Sequence, residues 1–108
     1  MKNASRYQLV LVTTPDIKTA RRLARLALEA RAAACANLLP KLESHYWWQG
    51  KIQSSNEVLV FFKTLKSKLK SLESLILENH PYDTPEIISM QLASGTKRYL
   101  SWIDTSVK

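Results

Sequence analysis

The sequence predicts an α+β fold in which two helices lie on one face of a four-stranded antiparallel sheet. Three observations lead to this prediction. Apolar residues follow strand spacing and helix spacing in the order β-α-β-β-α-β. The two middle strands are long, and Gln49-Gly50 makes the tight turn between them. Right-handed crossovers then put both helices on the same face, which is the ferredoxin-like arrangement, and a short helix closes the chain.

Length and composition indicate a single domain over residues 1–108. Hydrophobic residues make up 45% of the chain and charged residues 23%, which is typical of a globular protein. No apolar run approaches the length of a membrane span, and the N-terminal run is too short for a signal-peptide core, so we expect a cytoplasmic protein with no membrane contact. The one cysteine, Cys35, excludes an internal disulfide and is expected to be a small buried hydrophobe.

The first strand and the first helix are predicted from local patterns. Tyr7 to Thr13 is a short run rich in leucine and valine, typical of a buried strand. Thr14-Pro15-Asp16 predicts a helix start with Thr14 as the cap, and we expect the helix to run to about Ala33. Its core face is expected to carry Ala20, Leu23, Ala24, Ala27 and Leu28.

The hairpin is expected to pair a strand over Cys35–Trp48 with a strand over Ile52–Leu65. Pro40 predicts a bulge or an edge position in the first of them. Val58 to Phe62 is apolar at both alternating sets of positions, and Tyr46-Trp47-Trp48 sends large aromatic side chains to both sides. The predicted helices cover only one sheet face, so a monomer would expose a large apolar patch. The pattern therefore predicts an oligomer.

A second helix, a fourth strand and a terminal helix complete the predicted fold. Ser67 is expected to cap the second helix, which ends at Asn79. Glu86 to Ala93 is predicted to form the fourth strand, and Ser94-Gly95-Thr96 leads into the terminal helix. The side chains expected to face inward from the second helix are Leu69, Leu72 and Ile76, and the terminal helix carries Tyr99, Leu100, Trp102 and Ile103.

The net charge of +7 requires anionic partners to be considered. Lys18, Arg21, Arg22 and Arg25 fall at helical spacing, and such a stripe is more often a solvated helix face than a nucleic-acid footprint. The aromatic residues of the hairpin also admit an RNA-binding module, because RNA-recognition domains stack bases on sheet aromatics. The third strand lacks the glycine-containing signature of those domains, so nucleic-acid binding is the minor alternative.

The segment from His80 to Ile87 contains the strongest candidate site. It places the imidazole of His80 close to Tyr82, Asp83 and Glu86, between two prolines that restrict the backbone. An imidazole with carboxylates can ligate a transition metal or carry out acid–base chemistry. The structural alternative is that His80 caps the end of a helix and Glu86 pairs with a lysine.

Three polar residues of the hairpin are secondary candidates. Glu57 and Lys63 lie on the same face of the third strand, where one orients the other or each pairs across strands. His45 is expected to be a half-exposed strand residue. The sequence contains no nucleophile with its base, and its two glycines form no phosphate-binding loop, so we do not expect an enzyme.

At this point the motifs resemble the CutA1 family, the divalent-cation tolerance proteins. The matching segments occur in order and cover nearly the whole chain: Thr13–Asp16, Ala34–Asn37, Tyr46–Lys51, Glu57–Thr64, His80–Tyr82, Pro85–Ile87 and Tyr99–Trp102. The resemblance implies a ferredoxin-like homotrimer of high stability, similar in architecture to the PII signalling proteins, with a link to copper and other divalent metals. It also implies that clefts between subunits are surrounded by Tyr46, Trp48, Glu57, Lys63, His80, Tyr82 and Glu86.

One departure from the family concerns copper. The family's copper pattern combines a cysteine before the Thr-x-Pro-Asp turn with a His-His pair before Pro-Tyr, and here Val12, Asn79 and His80 occupy these positions. Valine cannot ligate, so we expect weak binding of copper or another divalent cation. His80 is then the main donor, and Glu86, Asp83 or a neighbouring subunit's Glu57 are helpers.

The resemblance predicts a non-catalytic protein that acts in the response to metal ions. Two alternatives remain open from the sequence. One is a PII-like regulatory trimer that binds a small anionic effector between subunits, using Lys63. The other is the RNA-binding module described above.

Overall fold

A computed structural model of the protein describes residues 1–107, and in this part of the chain six strands and three α-helices are present. The strands are β1 (Lys2–Asn3), β2 (Tyr7–Thr14), β3 (Cys35–Trp48), β4 (Lys51–Leu65), β5 (Ile87–Gln91) and β6 (Ser94–Gly95). The helices are α1 (Ile17–Glu29), α2 (Leu69–Asn79) and α3 (Lys97–Ser106).

The main sheet has the strand order β3-β4-β2-β5, and all of its neighbouring strands are antiparallel. With α1 and α2 between the strands, this confirms the predicted β-α-β-β-α-β arrangement. Both helices pack on one sheet face, where a single apolar core joins them to the sheet. The buried side chains of this core include Val10, Val12, Val60 and Phe62 from the sheet, Ala20, Leu23 and Ala27 from α1, and Leu72 and Ile76 from α2.

The ends of α1 differ from the prediction. Thr14 is still paired in the β2 ladder, so the cap is Asp16, whose Oδ1 accepts a hydrogen bond of 2.7 Å from the Thr19 amide. This hydrogen bond holds the pKa of the Asp16 carboxyl below its ordinary value. The helix ends at Glu29 rather than near Ala33, because Arg31 adopts a φ of 57°.

The early end of α1 is a Schellman motif. The Ala32 amide donates to the carbonyl of Ala27, and the Arg31 amide donates to the carbonyl of Leu28. Leu28 is 40% exposed and Ala24 is only half-buried, so their predicted core positions were wrong. At 3.6 residues per turn, both lie to one side of the stripe that carries Ala20, Leu23 and Ala27. The other three predicted core positions of α1 are confirmed.

The C-terminal half shows two further differences. Ser67 does not cap α2, because it lies inside a 3₁₀ turn over Lys66–Lys68 and α2 begins only at Leu69, without a side-chain cap. The fourth strand of the main sheet is shorter than the predicted Glu86–Ala93. Its end diverges because Ser94 and Gly95 pair with β1, which forms a second, two-stranded sheet that the sequence analysis did not predict.

The β3–β4 hairpin has the predicted shape. A bulge interrupts its register between Leu39 and Leu42, at Pro40, and β3 is an edge strand of the main sheet. Gln49 and Gly50 both have positive φ values, 51° and 76°, as a two-residue hairpin turn requires. Residues 51–57 of β4 pair only with β3, so the tip of the hairpin projects beyond the sheet.

The second face of the main sheet has no helical layer over most of its area. We call it the open face and define it by Leu9, Leu11, Leu39, Leu59, Phe61, Ile88 and Met90, which share one side of the sheet by register. Helix α3 covers only one end, where Leu100 and Ile103 pack with Tyr7 and Leu65. Three open-face side chains, Leu39, Ile88 and Met90, are about half exposed. As predicted, β4 carries apolar side chains on both faces of the sheet.

Truncating Phe62 tests the helix-covered core. Phe62 is fully buried, so Phe62→Ala should lower the free energy of unfolding by about 3–5 kcal/mol through lost burial and a residual cavity. Urea denaturation followed by circular dichroism measures this loss. Leu77→Ala, on the exposed side of α2, is the control and should change stability by less than about 0.5 kcal/mol. Equal losses in the two variants would contradict the assignment of the core.

Candidate functional site

A groove of about 820 Å³ lies between the projecting hairpin tip and the loop that follows α2. One wall comes from β3 and carries Tyr46, Trp47 and Trp48. The other wall comes from the loop over residues 81–84, and Glu57 of β4 lies in the groove between them. Because the hairpin tip has no third strand beside it, its large aromatic side chains are left to line this groove.

The hairpin wall is held by contacts between its two strands. Tyr46 and Gln53 are register partners, and the Tyr46 hydroxyl lies 3.2 Å from the hydroxyl of Ser55. Trp48 remains 45% exposed and Trp47 remains 72% exposed. These residues thus form an aromatic surface that is positioned by the hairpin but not covered by the same chain.

His80 fixes the base of the loop wall. It ends α2 with an extended backbone, which the following Pro81 favours, and the residue is 9% exposed. Its Nε2 lies 2.7 Å from the carbonyl oxygen of Thr13, and its Nδ1 accepts a hydrogen bond of 3.1 Å from the Tyr82 amide. A carbonyl can only accept and an amide can only donate, so the imidazole carries its proton on Nε2.

Tyr82 connects this imidazole to the groove. Its ring lies 4.7 Å from the His80 ring, centroid to centroid, and its hydroxyl donates a hydrogen bond of 2.7 Å to Oε2 of Glu57. Burial raises the pKa of the Tyr82 phenol well above its ordinary value, and the Glu57 carboxylate raises it further. The phenol therefore stays a neutral donor, and Glu57, only 8% exposed, is its acceptor.

The structure brings most of the predicted site residues together. Those that line the groove are Tyr46, Trp48, Glu57, Tyr82, Asp83 and Glu86. His80 lies behind the groove wall and is confirmed at the end of a helix, as its structural alternative predicted. Glu86 forms no ion pair with a lysine within residues 1–107.

Lys63 is not part of the groove within one chain. It lies six residues from Glu57 along β4, which is about 20 Å in an extended strand. Its ammonium group lies over the ring of Tyr99, 5.7 Å from the ring centroid. Lys63 therefore does not orient Glu57, and within residues 1–107 neither residue forms an ion pair across strands. Glu57 is bonded to Tyr82 instead.

Sequence reasoning missed two contacts of the site. Thr13 supplies a backbone carbonyl to His80, and no residue type signals a backbone contact between segments 67 positions apart. His45 lines the groove, and its Nε2 lies 2.8 Å from Oε2 of Glu43. The two residues are two positions apart on one strand, so their side chains lie on the same side and can meet. Cys35 is half-buried rather than buried, because it lies on the edge strand, where its thiol lies 3.5 Å from the Asn37 side-chain oxygen.

The donors for a metal are not gathered into a site. Within residues 1–107 there is no group of three or more His, Cys, Asp or Glu side chains placed to hold a metal ion. Both ring nitrogens of His80 are already hydrogen-bonded, so ligation there requires one of these bonds to break. The residues do not fit a preformed copper site, and the weak metal binding assigned to His80, Asp83 and Glu86 stays a prediction.

Comparison with known proteins identifies the family. The family model of the CutA1 divalent ion tolerance protein matches residues 8–106. The chain belongs to the CutA1 family. The resemblance seen in the sequence motifs is thereby confirmed. Most of the residues that line the groove belong to the segments that carry this resemblance.

Relatives of this CutA1 chain occur in bacteria and plants. It is 39% identical over 100 residues to the divalent-cation tolerance protein CutA of Pectobacterium atrosepticum, covering 93% of this chain and 91% of that protein. It is also 39% identical to the chloroplastic CutA 1 of Oryza sativa, where the match covers 93% of this chain but 56% of the plant protein. The chain thus spans about half the length of the chloroplastic relatives.

Solved CutA structures show the same fold. The structure of CutA from Xylella fastidiosa superposes with a TM-score of 0.93 at 35% identity, covering 96% of this chain and 100% of that chain. CutA1 from Oryza sativa superposes with a TM-score of 0.92 at 38% identity, covering 94% of each chain. Across residues 1–107, none of the helices is both long and apolar enough to cross a membrane.

Replacing Tyr82 by phenylalanine tests the bond to Glu57. The variant keeps the ring but leaves a nearly buried carboxylate without its donor, so at pH 7 we expect a loss of about 1.5–3 kcal/mol in unfolding free energy. Tyr46→Phe, which removes a more exposed hydroxyl bonded to Ser55, should cost less than about 1 kcal/mol. Equal stability of Tyr82→Phe and the parent in urea denaturation would show that the bond does not contribute.

The raised pKa of Tyr82 also predicts an alkaline effect. The folded-state pKa lies above the unfolded value of 10.0, so the stability it contributes is complete below about pH 10 and is lost as pH rises toward the folded value. The stability difference between the parent and Tyr82→Phe should therefore shrink above pH 10. In a spectrophotometric titration, the variant should lack one late-titrating phenol. An unchanged late phase would contradict this assignment.

Proposed function

We propose that the protein is a non-catalytic, homotrimeric binding protein of the divalent-cation response, and that the groove is its ligand site. The observation that carries this proposal is the nearly buried carboxylate of Glu57 in a groove with aromatic walls. Asp83 and Glu86 add two further carboxylates to the lining. Such a concave site with a few polar groups is suited to holding a ligand.

The hydrogen bonds of the site support binding rather than catalysis. His80 uses both ring nitrogens to hold the backbone, so neither is free to accept a proton from a substrate. Within residues 1–107, no serine, threonine or cysteine side chain is hydrogen-bonded to a histidine, as an activated nucleophile would be. Tyr82 is kept as a neutral donor to Glu57 by the same environment.

The open face supports assembly into a homotrimer. It is an apolar surface with half-exposed large side chains, including Leu39 on β3 and Ile88 and Met90 on β5, the two edge strands of the sheet. Isolated domains seldom leave such a surface in contact with water. In the proposed trimer the open faces meet at the centre, and the grooves lie near the subunit boundaries.

Divalent metals are proposed to bind weakly. Two of the three copper-ligand positions of the family carry residues that cannot serve: Val12 is fully buried in the core, and the Asn79 side chain bonds to Leu75 and Arg22. The remaining donors are His80, after release of one of its hydrogen bonds, and the exposed carboxylates Asp83 and Glu86.

The alternatives have less support. A small anionic effector needs a cation, and the residues that line the groove include no lysine or arginine, so Lys63 would have to come from another subunit. An RNA module would place bases on the hairpin aromatics, beside the carboxylates of Glu57 and Asp83, which repel phosphates. A cytoplasmic location stays a prediction.

A charge on the open face tests the proposed assembly. Light scattering should give a trimer mass for the parent at micromolar concentration. Phe61→Asp places a carboxylate on the open face and should lower the mass to that of a monomer that keeps its secondary structure. Val60→Asp, on the buried face of the same strand, should unfold the chain instead. A monomeric parent would contradict the proposal.

Removal of the imidazole tests the proposed metal contact. Titration calorimetry with copper should give weak binding to the parent and weaker binding to His80→Ala, because copper prefers imidazole to carboxylate. Asp83→Asn is the matched control and should have the smaller effect. If His80→Ala binds copper as well as the parent does, His80 is not a ligand. Tight, stoichiometric binding by the parent would contradict the weak donor set.

A further inference from the structure

We propose that the groove binds an organic cation, an ammonium or guanidinium group carried on an apolar body. This inference rests on the proposed function, in which the groove is the ligand site, and it names the chemical class of the ligand. The cationic group lies at Glu57, and the apolar body lies against the aromatic wall of the hairpin.

The state of the Glu57 carboxylate is the first argument. The residue is 8% exposed, yet within residues 1–107 no lysine, arginine or histidine nitrogen lies within 4.0 Å of its carboxylate. Tyr82 donates one hydrogen bond to Oε2, and no donor within these residues reaches Oε1. A carboxylate removed from water is costly without a positive partner. Because Oε1 is not sealed off in the protein interior, a ligand in the groove can supply that partner.

The walls of the groove are the second argument. Four aromatic rings, those of Tyr46, Trp47, Trp48 and Tyr82, are among the lining residues. The faces of such rings attract ammonium and guanidinium groups, and tryptophan attracts them most strongly. A volume of about 820 Å³ accommodates a small organic molecule. A bare metal ion would gain little from aromatic walls, whereas an organic cation uses both the rings and the carboxylate.

The sign of the local charge is the third argument. The chain as a whole carries a net charge of +7, but the lining residues include three carboxylates and no lysine or arginine. Glu57 lies at the bottom, and Asp83 and Glu86 lie on the loop side. The groove is thus an acidic depression in a basic protein, and such a depression concentrates small cations. It disfavours phosphates and other anions for the same reason.

A pair of isosteric probes tests the inference. Benzylammonium and benzyl alcohol have the same ring and similar size, but only the first carries a positive charge. Titration calorimetry at pH 7 on the parent should show benzylammonium binding about tenfold or more tightly than benzyl alcohol, since a hydrogen bond to a charged group adds that much. Quenching of tryptophan fluorescence gives a second readout at the groove wall.

Two variants test whether Glu57 supplies the charge preference and whether Trp48 supplies the aromatic contact. Glu57→Gln keeps the shape of the side chain and should remove the preference for benzylammonium, leaving the two probes with similar affinities. Trp48→Leu should weaken both probes. Glu73→Gln is the matched control, because it removes one exposed carboxylate from α2, outside the groove, and should leave both affinities unchanged. Thermal unfolding of each variant confirms that it is folded.

The outcomes separate this inference from the proposed function. If the parent binds benzylammonium no better than benzyl alcohol, or if folded Glu57→Gln keeps the preference, the inference is wrong. Glu57 is then compensated by another group, such as Lys63 of a second copy. A trimeric, copper-binding parent with that result would leave the proposed function intact. A parent that is monomeric by light scattering and binds no copper would overturn the proposed function, whatever the two probes show.

Discussion

The imidazole of His80 holds together the three segments on which the groove depends. Through Nε2 it bonds to the end of β2, through Nδ1 it bonds to the loop at Tyr82, and its own backbone ends α2. The Tyr82 ring packs on it, which sets the direction of the phenol toward Glu57. Without this one side chain, the loop that forms half of the groove would lose its link to the end of β2.

The second constraint is the composition of β4. Its inner half is apolar on both faces, but the chain supplies helices for one face only, which leaves the open face in contact with solvent in a single copy. Its outer half extends past β2 and pairs only with β3. The same strand thus contributes to the apolar open face at one end and to the groove at the other. Glu57 lies where the two halves meet.

Element types and pairing were predictable because they depend on periodicity, whereas several boundaries depend on contacts that periodicity does not contain. The turn at Gln49-Gly50 was predicted correctly because glycine tolerates positive φ, and the bulge at Pro40 because proline cannot donate to a strand ladder. The end of α1 was missed because Arg31, not a glycine, takes the left-handed position. In the groove, residue types identified Glu57 and Tyr82, but only the fold shows that they bond to each other and that Lys63 lies elsewhere.

The position of the proton on His80 tests this account most directly. Long-range proton–nitrogen NMR correlations distinguish the two ring nitrogens of a histidine in the native protein. The account predicts that Nε2 carries the proton, because it faces the Thr13 carbonyl, and that Nδ1 is an acceptor, because it faces the Tyr82 amide. A proton on Nδ1 with Nε2 bare would contradict it, since neither hydrogen bond could then exist and the loop would not be linked to β2 through His80.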